Sequence, residues 1–127
     1  MKLEKSITTQ DRQNIARPNV DIFDGDIIKI LNEGEWITFK YKDKERKRLV
    51  FLIQTKYMTE KLLPLNQTTI NILIEAFGEE TKDWINKEVK VWIFKSKIGD
   101  RFADVVYLTP LDWGFKGNQF VKLNEKE

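Results

Sequence analysis

The sequence predicts a mainly β domain of five strands with a single helix between the third and the fourth. Runs rich in β-branched and aromatic residues span 26–41, 48–66 and 88–110. Gly34, Pro64 and Gly99 punctuate them where a bend, a strand end and a turn are needed. Only the stretch from Asn66 to Phe77 repeats its apolar residues at helical spacing. A chain of 127 residues suits one domain with one core. We expect a flexible N-terminal arm over 1–19, a folded domain over 20–112 and a C-terminal tail over 113–127.

The first twenty residues are polar and hold no apolar run, so they lack the hydrophobic stretch of a signal peptide. Up to about Arg17 they read as a mobile or loosely docked arm, with order beginning near Val20. From Asp26, the segments DIIKIL, NEGE and WITFKY fit either a hairpin or one long strand bent at a bulge near Gly34. The bent strand is the preferred reading. RLVFLIQTK, from Arg48, is the strongest strand signal, and a turn over 57–60 joins it to KLLPLN, whose Pro64 implies an edge or a strand end.

Asn66 is a good N-cap for the helix, Ile70, Leu73, Ile74 and Phe77 form its apolar stripe, and Gly78 follows where a left-handed residue ends it. Leu65 and Ile70 have the spacing of a hydrophobic staple. A second short turn within 79–86, capped by Thr81, is expected to bring Trp84 and Ile85 onto the core. EVKVWIFKSK and RFADVVYLTP then form a hairpin through Gly99. Phe51, Ile53, Phe77, Trp84 and Val105 are expected core residues. In the fourth strand, alternation separates Val89, Val91 and Ile93 from Lys90, Trp92, Phe94 and Ser96.

Hydrophobic residues make up 41% of the chain and charged residues 33%, which supports a core and a heavily charged surface. There is no cysteine and no histidine, which removes disulfides, Cys/His zinc sites, thiol nucleophiles and imidazole acid–base chemistry. No run of about 18 apolar residues occurs, so no membrane partner is expected and the chain is placed in the cytoplasm. The net charge of +2 conceals a pattern. Residues 40–48 hold six basic and two acidic residues and residues 87–101 hold five and two, on a background that is net −5. Each window taken alone fits a solvated loop.

The element order and the stretch LNQTTINILIEAFGEETKDWINKEVKV (Leu65 to Val91) carry a family resemblance. The chain resembles the OB-fold single-stranded-DNA-binding proteins and is nearest to small OB-type proteins of phages and archaeal mobile elements. The resemblance implies a five-stranded Greek-key barrel with one helix between strands three and four, and a binding surface flanked by the loops joining strands one to two and four to five. Asn86 stands where that stretch would carry glycine. The two basic windows fall on those two loops.

Single strands are held by cations along the backbone and by aromatic faces on which bases stack. The candidate binding residues are therefore Tyr41, Lys42, Lys44, Arg46, Lys47 and Arg48 around the first window, Lys56 and Tyr57 after it, and Trp92, Lys95, Lys97 and Arg101 around the second. Trp113, Phe115 and Phe120 lie beyond the last strand. Pinning the tail over an open barrel end, capping the groove and joining two copies as a homodimer all remain open for them. Asp21, Asp24 and Asp26 suit a turn better than a metal loop, and Glu79, Glu80 and Asp83 suit a helix start. With no phosphate loop or nucleophile motif, no catalysis, cofactor or metal is expected.

The leading expectation is a non-catalytic module that binds single-stranded DNA with little sequence preference during replication, recombination or repair of a cell or mobile element, with RNA as the close second. The competing one is a protein-interaction adaptor or inhibitor encoded by a mobile element and using the same barrel. A carboxylate-dependent nuclease is a distant third.

Overall fold

The structure is a computed structural model, which describes residues 4–6, 14–41 and 43–123. β2 (Ile27–Ile30) and β3 (Glu35–Tyr41) both pair antiparallel with β4 (Lys44–Gln54), so 27–41 is the bent strand that the sequence favours. The bend has a visible cause. Asn32 Oδ1 accepts hydrogen bonds from Gly34 N at 3.0 Å and Leu52 N at 2.9 Å, and Gly34 takes φ +77°. A Cβ on Gly34 would lie 2.9 Å from the Phe51 ring, so only glycine lets the backbone pass there.

β5 (Glu60–Leu65) pairs with β4, β6 (Glu88–Ile98) with β2, and β7 (Arg101–Pro110) with β6, all antiparallel. β1 (Glu4–Ser6) lies parallel beside β3. The result is a seven-stranded sheet in the order β1-β3-β4-β2-β6-β7, with β5 on β4. β8 (Trp113–Lys116) and β9 (Gln119–Lys122) form a separate two-stranded sheet.

Among the described residues the mainly β class and the single α-helix stand, but five strands closed into a barrel do not describe this chain. Closure would need β5 to meet β7, and among the described residues those edges have other partners. Leu62 of β5 donates to Asn14 O and accepts from Ala16 N, both at 2.8 Å. On β7, Asp104 Oδ2 accepts from Asn19 Nδ2 at 3.1 Å and Val106 O from Asn66 Nδ2 at 2.9 Å, while Leu108 N donates to Thr69 Oγ1 at 3.1 Å. Residues 14–22 and the helix start thus fill the gap between the two strands. The segment expected to be loosely docked as far as Arg17 is in place from Asn14, with Ala16 and Ile22 buried.

The helix, α1 (Gln67–Phe77), follows Asn66, whose side chain accepts from Thr69 N, and ends at Gly78 with φ +97°. Its Leu73 joins Ile28, Phe51, Ile53, Val89 and Leu108 in the main core. A 3-10 turn, Thr81–Trp84, follows; its N-cap is Glu80, which makes no side-chain cap, so Thr81 does not have the expected capping role. Trp84 is buried, donates from Nε1 to Gly78 O at 2.9 Å and stacks on Phe51 at 5.3 Å. Ile85, expected on the core, is exposed. Val105 also departs from expectation: the register Phe94↔Val105 turns it away from the face of Val91 and Leu108. Asn86 has φ +71°, the conformation that glycine would favour and that asparagine tolerates.

Candidate nucleic-acid interface

The first basic window is a β-ladder and not a loop. Arg46 pairs with Phe39, Lys47 with Thr38, Arg48 with Ile37 and Lys44 with Tyr41. Residues directly opposite in an antiparallel pair share a face. Lys44, Arg46 and Arg48 therefore line one face with Ile37 and Phe39, above a second small core of Ile37 and Val50 with Ile15, Phe39 and Leu62 against it. Lys47 belongs to the other face, opposite Thr38. Lys42 and the side chain of Tyr41 lie outside the described residues.

Lys44, Arg46 and Lys47 are exposed, and Arg48 is half-buried. Burial, and then the like charge of Arg46 two residues away, lower the Arg48 guanidinium from its ordinary value. Among the described residues neither arginine forms an ion pair, whereas Lys40 reaches Glu45 at 3.7 Å. An anion laid over Arg46 and Arg48 would relieve their repulsion. Both also border a cleft of about 120 Å³ shared with Trp36, Lys47, Asn66 and Ile70, in which Trp36 is 39% exposed.

The second window flanks the two-residue loop Gly99–Asp100, with Gly99 at φ +62°. Lys95 faces Asp104 across the ladder, and Lys97 faces Phe102. Phe102 is 72% exposed, the most open aromatic ring in the described chain, and Arg101 adjoins it. The sequence reading passed over Phe102. Counting pairs back from the Gly99–Asp100 loop would have found it, because that register fixes Lys97 as its neighbour.

Lys56 is engaged elsewhere. Its Nζ lies 3.2 Å from the buried Asp26 carboxylate and over the rings of Phe23 and Tyr57, at 5.1 and 5.2 Å. The hydrogen bond to Asp26 raises the ammonium above its ordinary value. Tyr57 is 58% exposed, so one side of this ring remains open. Asp24 accepts from Ile93 N at 2.8 Å and Asp21 from Arg17 N at 2.8 Å, so both carboxylates serve the backbone. Among the described residues, no cluster of three or more potential ligands is placed to hold a metal.

Trp92 points outward with Phe94, as alternation predicts, but the tail covers them. Phe94 lies 4.9 Å from Phe115 and 6.0 Å from Phe120, and Trp92 lies 5.5 Å from Phe120. Lys90 Nζ sits 4.6 Å from the Trp92 ring, and its Nε1 donates to Thr109 Oγ1 at 2.9 Å. Both ring and nitrogen are thus occupied by the protein itself. The aromatic residues of the tail therefore pack within their own chain, on the outer face of β6 and β7.

The two windows occupy one sheet, with β2 between them in the strand order. Lys90 of β6 lies beside Ile27 at the start of the bent strand, whereas Tyr41 ends it. The basic hairpins consequently extend from opposite ends of that strand, and the Lys56–Tyr57 turn lies at the Ile27 end with the second. In comparisons with known proteins, the chain matches no family model, no curated protein and no solved structure. No helix among the described residues is long and apolar enough to cross a membrane.

Proposed function

We propose that the chain is a non-catalytic module that binds single-stranded nucleic acid, DNA before RNA, on an open variant of the OB-fold. The strand neighbours support the fold reading. Taking β2 and β3 as one strand, the order is third, second, first, fourth, fifth, and the OB-fold is a partly open Greek-key barrel. The observation that carries the functional reading is the Arg46–Arg48 pair on one sheet face, among exposed lysines and beside Phe39, with no carboxylate partner among the described residues.

Phosphates would lie along Lys44, Arg46 and Arg48 at one end of the sheet, and only a strand long enough to reach the opposite end would also stack bases on the exposed rings there, Phe102 and Tyr57. Contacts of both kinds tolerate any sequence, because neither reads a base edge. If about four phosphates are neutralised, the logarithm of affinity falls against log salt with a slope of about −3.

The test is a titration of labelled oligo-dT over a salt series with wild type and with the double variant Arg46→Glu/Arg48→Glu. Tight binding at low salt, a slope near that value and loss of binding in the variant support the reading. Absence of binding at low salt, or a variant that binds as wild type does, overturns it. Absence of binding would leave the protein-interaction adaptor as the stronger reading.

A further inference from the structure

A cavity of about 580 Å³ lies between α1, the outer face of β6 and β7 and the β8–β9 hairpin. Phe94, Tyr107, Trp113, Phe115 and Phe120 line it, and among the described residues Glu75 on α1 is its one charged residue, with no lysine or arginine in its wall. We propose that this cavity is a binding site for an organic cation with a quaternary ammonium head.

Three features lead to that ligand. The volume falls within the range of about 300–1,000 Å³ typical of small-molecule sites, and five aromatic side chains share the wall with Ile72 and six polar residues. The rings do not form a flat slot: Phe94 and Phe115 are inclined by 46°, Phe115 and Phe120 by 65°, and Tyr107 and Phe120 by 48°. The same ring pairs are in mutual contact, at 4.9, 5.0 and 5.2 Å between centroids, so they offer the space beside them inclined edges and faces and no pair of parallel faces between which a planar base could slide. Aromatic faces attract cations through their quadrupole, and Glu75 adds the complementary charge. The same chemistry already operates next door, where Lys90 lies over Trp92.

Glu75 is exposed, so the mouth of the site is open to solvent. The ligand is either a free small molecule or the trimethylated lysine of a peptide, since both present the same head group.

The experiment measures binding of choline and of its uncharged isostere 3,3-dimethylbutan-1-ol to the full chain, by calorimetry and by aromatic NMR shifts. A trimethyllysine peptide forms a third arm. Choline should bind about tenfold more tightly than the alcohol and shift the resonances of Trp113, Phe115 and Phe120. Glu75→Gln and Phe115→Leu should each weaken choline several-fold and leave the alcohol unchanged. Peptide affinity above that of choline identifies a protein source, and equal affinity a free ligand; either supports the site. Equal binding of choline and the alcohol, no choline-dependent shift at the three rings, or preferential binding of a nucleoside overturns the proposal. Glu75→Gln changes an exposed helix residue and leaves every ring contact in place, so it tests the site even if Phe115→Leu, which removes contacts to Phe94 and Phe120, loosens the hairpin.

Discussion

Replacing Gly34 by alanine tests whether steric exclusion sets the bend at the foot of the first basic hairpin. Two costs add. The backbone stays at φ +77°, a conformation that costs an L-residue about 1–2 kcal/mol. The new methyl would also arrive 2.9 Å from Cε2 and Cζ of Phe51. That ring is fully buried and stacked on Trp84, so it has no room to swing aside, and overpacking of this kind costs about 1–3 kcal/mol. The combined loss is about 2–5 kcal/mol. Gly117→Ala supplies the reference: φ there is +58° and nothing lies within 4 Å, so only the backbone cost of about 1–2 kcal/mol applies. Urea denaturation followed by circular dichroism compares the two. Equal losses, or a Gly34→Ala loss below about 1 kcal/mol, would refute the reasoning.

Asn66→Ala removes both the cap on Thr69 N and the bond to Val106 O, and should cost about 1–3 kcal/mol in the same assay. Thr69→Val leaves the Leu108 amide without its acceptor and should cost about 1–3 kcal/mol, whereas a neutral result would show that this edge does not depend on the bond. Because Asp26 raises the Lys56 pKa, the stability that this pair provides is complete below 10.5 and is lost as pH climbs through the higher folded-state value. Urea midpoints of wild type and Lys56→Met should therefore differ at neutral pH and converge in strong alkali; a constant gap contradicts the assignment. Phe102→Ala should weaken binding to oligo-dT by about 1–3 kcal/mol, measured by fluorescence anisotropy, if the ring stacks on a base.

Local signals in the sequence located much of this architecture. The Asn66 cap, the stripe from Ile70 to Phe77 and Gly78 act within a few residues of one another, and the helix has the expected bounds. Gly34 marked the bend, although its reason, the Phe51 ring, comes from a neighbouring strand. What periodicity could not supply was pairing over long distances. Asn14 and Ala16 carry no pattern that ties them to Leu62, and Asn19 none that ties it to Asp104, so the gap between β5 and β7 was not foreseen. Alternation put Trp92 and Phe94 on the outer face, but which side chains cover that face depends on a hairpin some twenty residues further on. In the first window, charge composition suggested a loop; the alternation there sorts cations to two faces and was masked because eight of its nine positions carry charged residues.

The filled gap between β5 and β7 has a further meaning for how copies of this chain behave toward one another. Unpaired strand edges are templates on which another chain can add a strand. Here the β5 edge is held by Asn14 and Ala16, and the backbone of β7 by the side chains of Asn66 and Thr69. The segment 14–22 is therefore a guard against self-association as much as a part of the core. Loss of that segment would leave the Leu62 amide and carbonyl of the β5 edge unpaired, the condition under which another strand can add to it.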